Sequence, residues 1–94
     1  MEMKQNAKKA EALLKILANQ KRLMILCYLT DGRKSVGELA KLVNLSHSAL
    51  SQHLSKMKNL NLLEDVKEGQ EVFYSIKSYE VRAILSTLYL IYCR

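Results

Sequence analysis

Ninety-four residues, 49% hydrophobic and 26% charged, are enough for one small folded domain and too ordinary in composition for a disordered chain. Fifteen Lys and Arg against nine Asp and Glu leave a formal charge of +6, which favours a polyanionic partner, because cations near phosphates release condensed counterions. The opening MEMKQNAKKAEALLK lacks a signal-peptide core and no run reaches the roughly 18 apolar residues of a membrane span. The expectation is therefore a cytoplasmic protein with reduced thiols and no membrane partner, and two cysteines without a CxxC leave neither a zinc finger nor a thioredoxin-like motif.

A first helix is predicted from about Gln5 to Leu17, with Ala10, Leu13, Leu14 and Leu17 on one face. Asn19 caps a second, from Gln20 to about Thr30, which stops at Thr30-Asp31-Gly32. Its run RLMILCYL is apolar nearly all round, which predicts a central, buried helix. By itself Cys27 within that run reads as a small core hydrophobe. Ser35-Val36-Gly37-Glu38 has capping-box spacing and opens a third helix, with Leu39, Ala40, Leu42 and Val43 at helical intervals. After the short turn Asn44-Leu45-Ser46, Ser46 caps a fourth helix running to about Leu60. Two helices joined by three or four residues, the second amphipathic, form a helix-turn-helix.

Projected at 100° per residue, that fourth helix gathers Ala49, Leu50, His53, Leu54, Met57 and Leu60 on one arc. His47, Ser48, Ser51, Gln52, Ser55 and Asn59 fall on the other, with Lys56 and Lys58 at its margins. A helix that only faces water usually carries Glu and Lys pairs. Short donors and acceptors suit a major groove instead, where Gln or Ser bonds base edges and nearby lysines meet phosphates.

Beyond Leu62 the apolar period changes from 3.6 to 2, and Lys67-Glu68-Gly69-Gln70 reads as a hairpin turn. A hairpin over about residues 63–76, after a recognition helix, is the wing of a winged helix. Lys67 and Gln70 at its tip are candidates for a phosphate or minor-groove edge, while Glu68 and Glu71 oppose such contact. Ser78 caps a last helix to about Cys93, whose stripe Val81, Ile84, Leu85, Leu88, Ile91 and Tyr92 leaves Tyr89 and Leu90 outside it. A terminal helix apolar on more than one face packs on its own domain and on a partner subunit. The expected architecture is one mainly α domain with a small β-hairpin wing, homodimeric through its first and last helices.

The stretches ALANQKRLMILCYL, SVGELAKLVNLSHSALSQHLSKMKNLNLL and EGQEVFYSI, in this order, resemble the ArsR-type winged-helix repressors, over about residues 12–93. The resemblance implies a homodimer on double-stranded operator DNA, an inverted repeat, that responds to an inducer. It assigns base contact to His47, Ser48, Ser51 and Gln52. The family's metal sites find few counterparts: ELAKLVNL has no cysteine, the terminal helix has neither His nor Asp, and His47 and His53 lie on opposite arcs of one helix.

One cysteine in the second helix and one at the end of the last, with KSVGELAKLVNLSHSALSQHL, VFY and a closing YC, resemble the family's sulfur- and redox-sensing branch (the BigR, HlyU and SqrR type). That resemblance implies a Cys27–Cys93 disulfide or polysulfide bridge, formed by reactive sulfur species or oxidants, that releases DNA without any cofactor. At a helix C-terminus the dipole disfavours a Cys93 thiolate, whereas Arg94 favours one. Three alternatives stand beside this reading: a regulator with inert cysteines under another ligand, a metal sensor, and a protein-interaction domain. A thiol enzyme is disfavoured, since neither cysteine has a partnered histidine.

Overall fold

A computed structural model describes residues 2–93. Among these residues the chain forms α1 (Met3–Leu17), α2 (Gln20–Leu29), β1 (Lys34–Ser35), α3 (Val36–Val43), α4 (His47–Asn59), β2 (Leu63–Glu68), β3 (Glu71–Ile76) and α5 (Tyr79–Tyr92). It is a mainly helical winged helix-turn-helix.

Local chemistry sets most boundaries. The Asn19 side chain accepts the Arg22 N–H at 3.1 Å and starts α2. Ser35 and Glu38 satisfy each other's backbone N–H groups in a full capping box. Ser46 accepts from Ala49 and Ser78 from Val81, each at 3.1 Å, at the starts of α4 and α5. Asn44 ends α3 at φ 55°, the left-handed conformation that sets the turn into α4. Asn tolerates this geometry better than other residues with a Cβ.

These elements share one core: Ile25, Leu26 and Leu29 from α2, Leu39 and Val43 from α3, Leu50, Leu54 and Met57 from α4, with Leu63, Ile76, Val81 and Leu85 closing it. The strands form an antiparallel sheet ordered β1-β3-β2, with Ser35 opposite Phe73 and Val66 opposite that same residue from the other side. β1 has no counterpart in the sequence reading. Two residues carry no period, and only pairing with β3 makes them a strand.

Four expectations change. α2 buries one face only; Cys27 and Tyr28 are exposed, because no element among the described residues covers its outer side. In α1 the buried residues are Ile16 and Leu17, whereas Leu14 is 55% exposed and Ala10 also faces out. Leu60, placed on the inner arc of α4, is exposed: the helix ends at Asn59, and Asn61 at φ 63° swings Leu62 into the core instead. In α5 the stripe is buried at Val81 and Leu85, yet Ile91 and Tyr92 are exposed where the helix runs past the core.

Candidate nucleic-acid interface and thiol pair

α4 is held by Leu50, Leu54 and Met57, so its opposite face is fixed in space as well as in sequence. His47, Ser48, Ser51 and Gln52 all lie exposed on it, as do Ser55 and Lys56. His53 points the other way and is half-buried; burial first, then the charges of Arg22 and Lys56, push its pKa down and keep the ring neutral near pH 7. The two histidines therefore do not converge, and no group of three metal-binding side chains occurs among the described residues.

The wing is tied to this helix by charge. Lys58 at the end of α4 donates to Asp65 on β2 at 3.0 Å, and hydrogen bonding and charge from Asp65 raise its pKa. Lys58 is thus already engaged by a carboxylate, unlike Lys56 and Lys67, which make no ion pair among the described residues. Asp65 lies opposite Tyr74, whose phenol is pushed up by burial and then by the Asp65 charge. At the tip, Gly69 takes φ 62° in the two-residue turn and Gln70 is exposed beside it.

Glu68 opposes phosphate contact less than its charge suggests. Arg33, in the loop after α2, grips both Glu68 carboxylate oxygens, one at 3.1 Å, while its guanidinium sits 4.4 Å from the centre of the Phe73 ring. No sequence pattern singles out Arg33, Asp65 or Lys21. Each acts on a partner distant in sequence, and no local pattern announces such a pair.

The thiols belong to elements far apart in the chain, α2 and the end of α5. Both are free and exposed. Burial pushes the Cys27 thiol above its ordinary value, and the charge of nearby Cys93 adds to the rise, so the two lie within electrostatic reach of each other. Cys27 borders a shallow, open depression of about 610 Å³ whose walls include Ala18, Leu23, Met24 and Tyr28. Cys93 caps α5, its backbone N–H on the Tyr89 carbonyl at 2.8 Å. Arg94, expected to favour a thiolate there, lies outside the described residues.

Two cations fasten the N-terminus of α2. Lys21 donates through Nζ to the Val43 carbonyl at 2.8 Å, at the end of α3. Arg22 donates through Nη1 to the Ile16 carbonyl at 3.2 Å, at the end of α1. α2 therefore carries one thiol and also grips the helix-turn-helix.

A helix-turn-helix with a polar reading face, flanked by a hairpin fastened to it, defines the class of winged helix-turn-helix DNA-binding regulators. The signature of "Bacterial regulatory protein, arsR family" matches residues 19–65. The chain is 48% identical over 93 residues to the transcriptional activator HlyU of Vibrio cholerae, covering 99% of this chain and 86% of that one. A structure of reduced HlyU from that organism superposes with a TM-score of 0.95 over 99% of this chain and 98% of the other. The biofilm growth-associated repressor of Agrobacterium fabrum is 32% identical over 97% of this chain and 78% of its own. A homodimeric winged helix-turn-helix DNA-binding domain from Mycobacterium bovis, 26% identical, has a TM-score of 0.81 over 97% of this chain and 85% of that one. The chain belongs to the ArsR family of bacterial regulatory proteins. It is a transcriptional regulator, not an enzyme.

Proposed function

We propose that this regulator is a homodimeric, cytoplasmic repressor that binds an inverted-repeat operator and releases it when Cys27 and Cys93 are bridged by reactive sulfur species or oxidants. The observation that carries the reading is the thiol pair, brought from α2 and the end of α5 into each other's electrostatic range. In the peroxide route, two thiols give up two electrons and two protons, one S–S bond forms, and the peroxide leaves as two waters. In the sulfur route, the two protein thiols react with two small-molecule persulfides. The products are one protein trisulfide, two small-molecule thiols and one hydrogen sulfide.

Dimerisation is supported by the apolar surface that the monomer leaves uncovered: Met3 and Leu14 on α1, and Tyr89, Leu90, Ile91 and Tyr92 on α5. The M. bovis neighbour is described as homodimeric. Two reading helices related by a twofold axis then meet half-sites about 34–36 Å apart. His47, Ser48, Ser51 and Gln52 read bases, and Lys56, Lys67 and Gln70 meet the backbone or minor-groove edge. Lys58 contributes only as far as Asp65 lets it go.

The test is a DNA-binding titration of reduced, peroxide-treated and persulfide-treated protein, read beside the intact mass. Bridged protein should bind about 5- to 150-fold more weakly, the range of typical site-to-site coupling, and Cys27→Ser and Cys93→Ser should abolish the response. If either variant still releases DNA on treatment, or wild-type affinity is unchanged after bridging, the cysteines are inert and another ligand controls the protein.

A further inference from the structure

Lys21 makes a long-range hydrogen bond with no evident local purpose. Its ammonium reaches from the first turn of α2 to the Val43 carbonyl, 22 positions away, in a half-buried setting. That carbonyl belongs to the last residue of α3, where the helix dipole is negative and a cation is favoured. The next residue, Asn44, is the left-handed one whose conformation sets the angle between α3 and the recognition helix α4. Lys21 therefore holds the turn on which the placement of α4 depends.

Cys27 lies on the same ten-residue helix, six residues on, about 9 Å along the axis at 1.5 Å per residue. Ile25, Leu26 and Leu29 pack one face of α2 into the core, and a continuous helix of ten residues transmits a displacement along its length. Its exposed face carries the thiol, and its N-terminal end carries the hydrogen bond to the turn. A shift of about 1 Å along the contact, with the Lys21 stem held in its half-buried setting, would stretch the 2.8 Å separation past hydrogen-bonding range.

We propose that Lys21 is a positioning residue that latches α2 to the helix-turn-helix turn in the DNA-binding state, and that drawing Cys27 to Cys93 releases this latch. The inference rests on the thiol-sensing reading and names the contact that transmits it. An interaction present in one state and absent in the other is what couples two sites.

The experiment compares wild-type, Lys21→Met and Lys21→Arg dimers, each reduced and each bridged, by fluorescence anisotropy on operator DNA. Met keeps the apolar stem and deletes the donor. Reduced Lys21→Met should bind about 2- to 10-fold more weakly than reduced wild type, the worth of one net hydrogen bond, while the bridged forms bind alike. The ratio of reduced to bridged affinity should thus shrink in Met and survive in Arg. Amide exchange in wild-type protein gives a readout free of substitution: residues 43–46 should exchange faster once bridged. Equal weakening of both Lys21→Met forms, an unchanged ratio, or unchanged exchange at the turn would overturn the latch. A wild-type protein that keeps its DNA after bridging would instead overturn the sensing reading itself, and the latch with it.

Discussion

Cys27 is exposed, yet its thiol is harder to ionise than an ordinary one, because partial burial and the charge of Cys93 both disfavour the thiolate. At neutral pH little of it is thiolate, so its attack on a peroxide or on a persulfide's outer sulfur is slow. Alkylation of Cys27 followed by peptide mass should reach half its maximal rate above pH 9.0, the ordinary value. Cys93→Ser should lower that midpoint without restoring it fully, since burial remains; a midpoint at or below the ordinary value in wild type would refute this account. His53 gives a second pH dependence. Its folded pKa lies below the ordinary 6.5, so the unfolded chain takes up protons first as pH falls through that value. Its contribution to stability is complete above pH 6.5 and is lost below it, down through the lowered folded pKa. Denaturant midpoints of His53→Gln should decline less steeply than wild type as the pH falls from 6.5.

In the proposed complex, α4 and the wing divide the work of recognition. α4 starts at Ser46, whose hydroxyl satisfies the Ala49 N–H. Ser46→Ala should cost about 1 kcal/mol in denaturant unfolding, the usual loss of an N-cap. The reading face is neutral apart from its marginal lysines, so Gln52→Ala should relax base preference and leave the salt dependence of binding unchanged. Lys67→Ala should do the converse: weaker binding to every sequence, with the salt slope reduced by about one. A Gln52→Ala protein with altered slope but unaltered base preference would reverse these roles. Arg33 on Glu68 and Phe73, with Lys58 on Asp65, fixes where the wing stands. Both ion pairs are partly exposed and therefore contribute orientation more than stability.

For the molecule as a whole, the uncovered helices decide the behaviour. The Cα radius of gyration, 13.9 Å, exceeds the roughly 12 Å of a compact chain of this length, and the extents of 46 × 31 × 20 Å show elongation. An elongated monomer with Tyr89, Leu90, Ile91 and Tyr92 in solvent has not finished burying its apolar surface. Leu90→Glu should give a monomer by sedimentation velocity and lose cooperative operator binding, whereas wild type should show a Tm that rises with protein concentration. A dimeric Leu90→Glu protein would place the interface elsewhere.

The sequence by itself determined the helices, the turn and the exposed polar face of α4. Caps at Asn19, Ser35, Ser46 and Ser78 act within three residues, and the apolar period of α4 already separates Leu50, Leu54 and Met57 from Ser48, Ser51 and Gln52. Such features are legible because the forces that create them are local. Composition could not show that RLMILCYL buries only one face, because a hydrophobic run does not reveal which neighbours will cover it. The tertiary structure alone decided that Cys27 is exposed within reach of the Cys93 charge, that Arg33 pairs with Glu68, and that Lys21 reaches the Val43 carbonyl. Each joins residues far apart in sequence, and only chain closure brings their charges and donors within range.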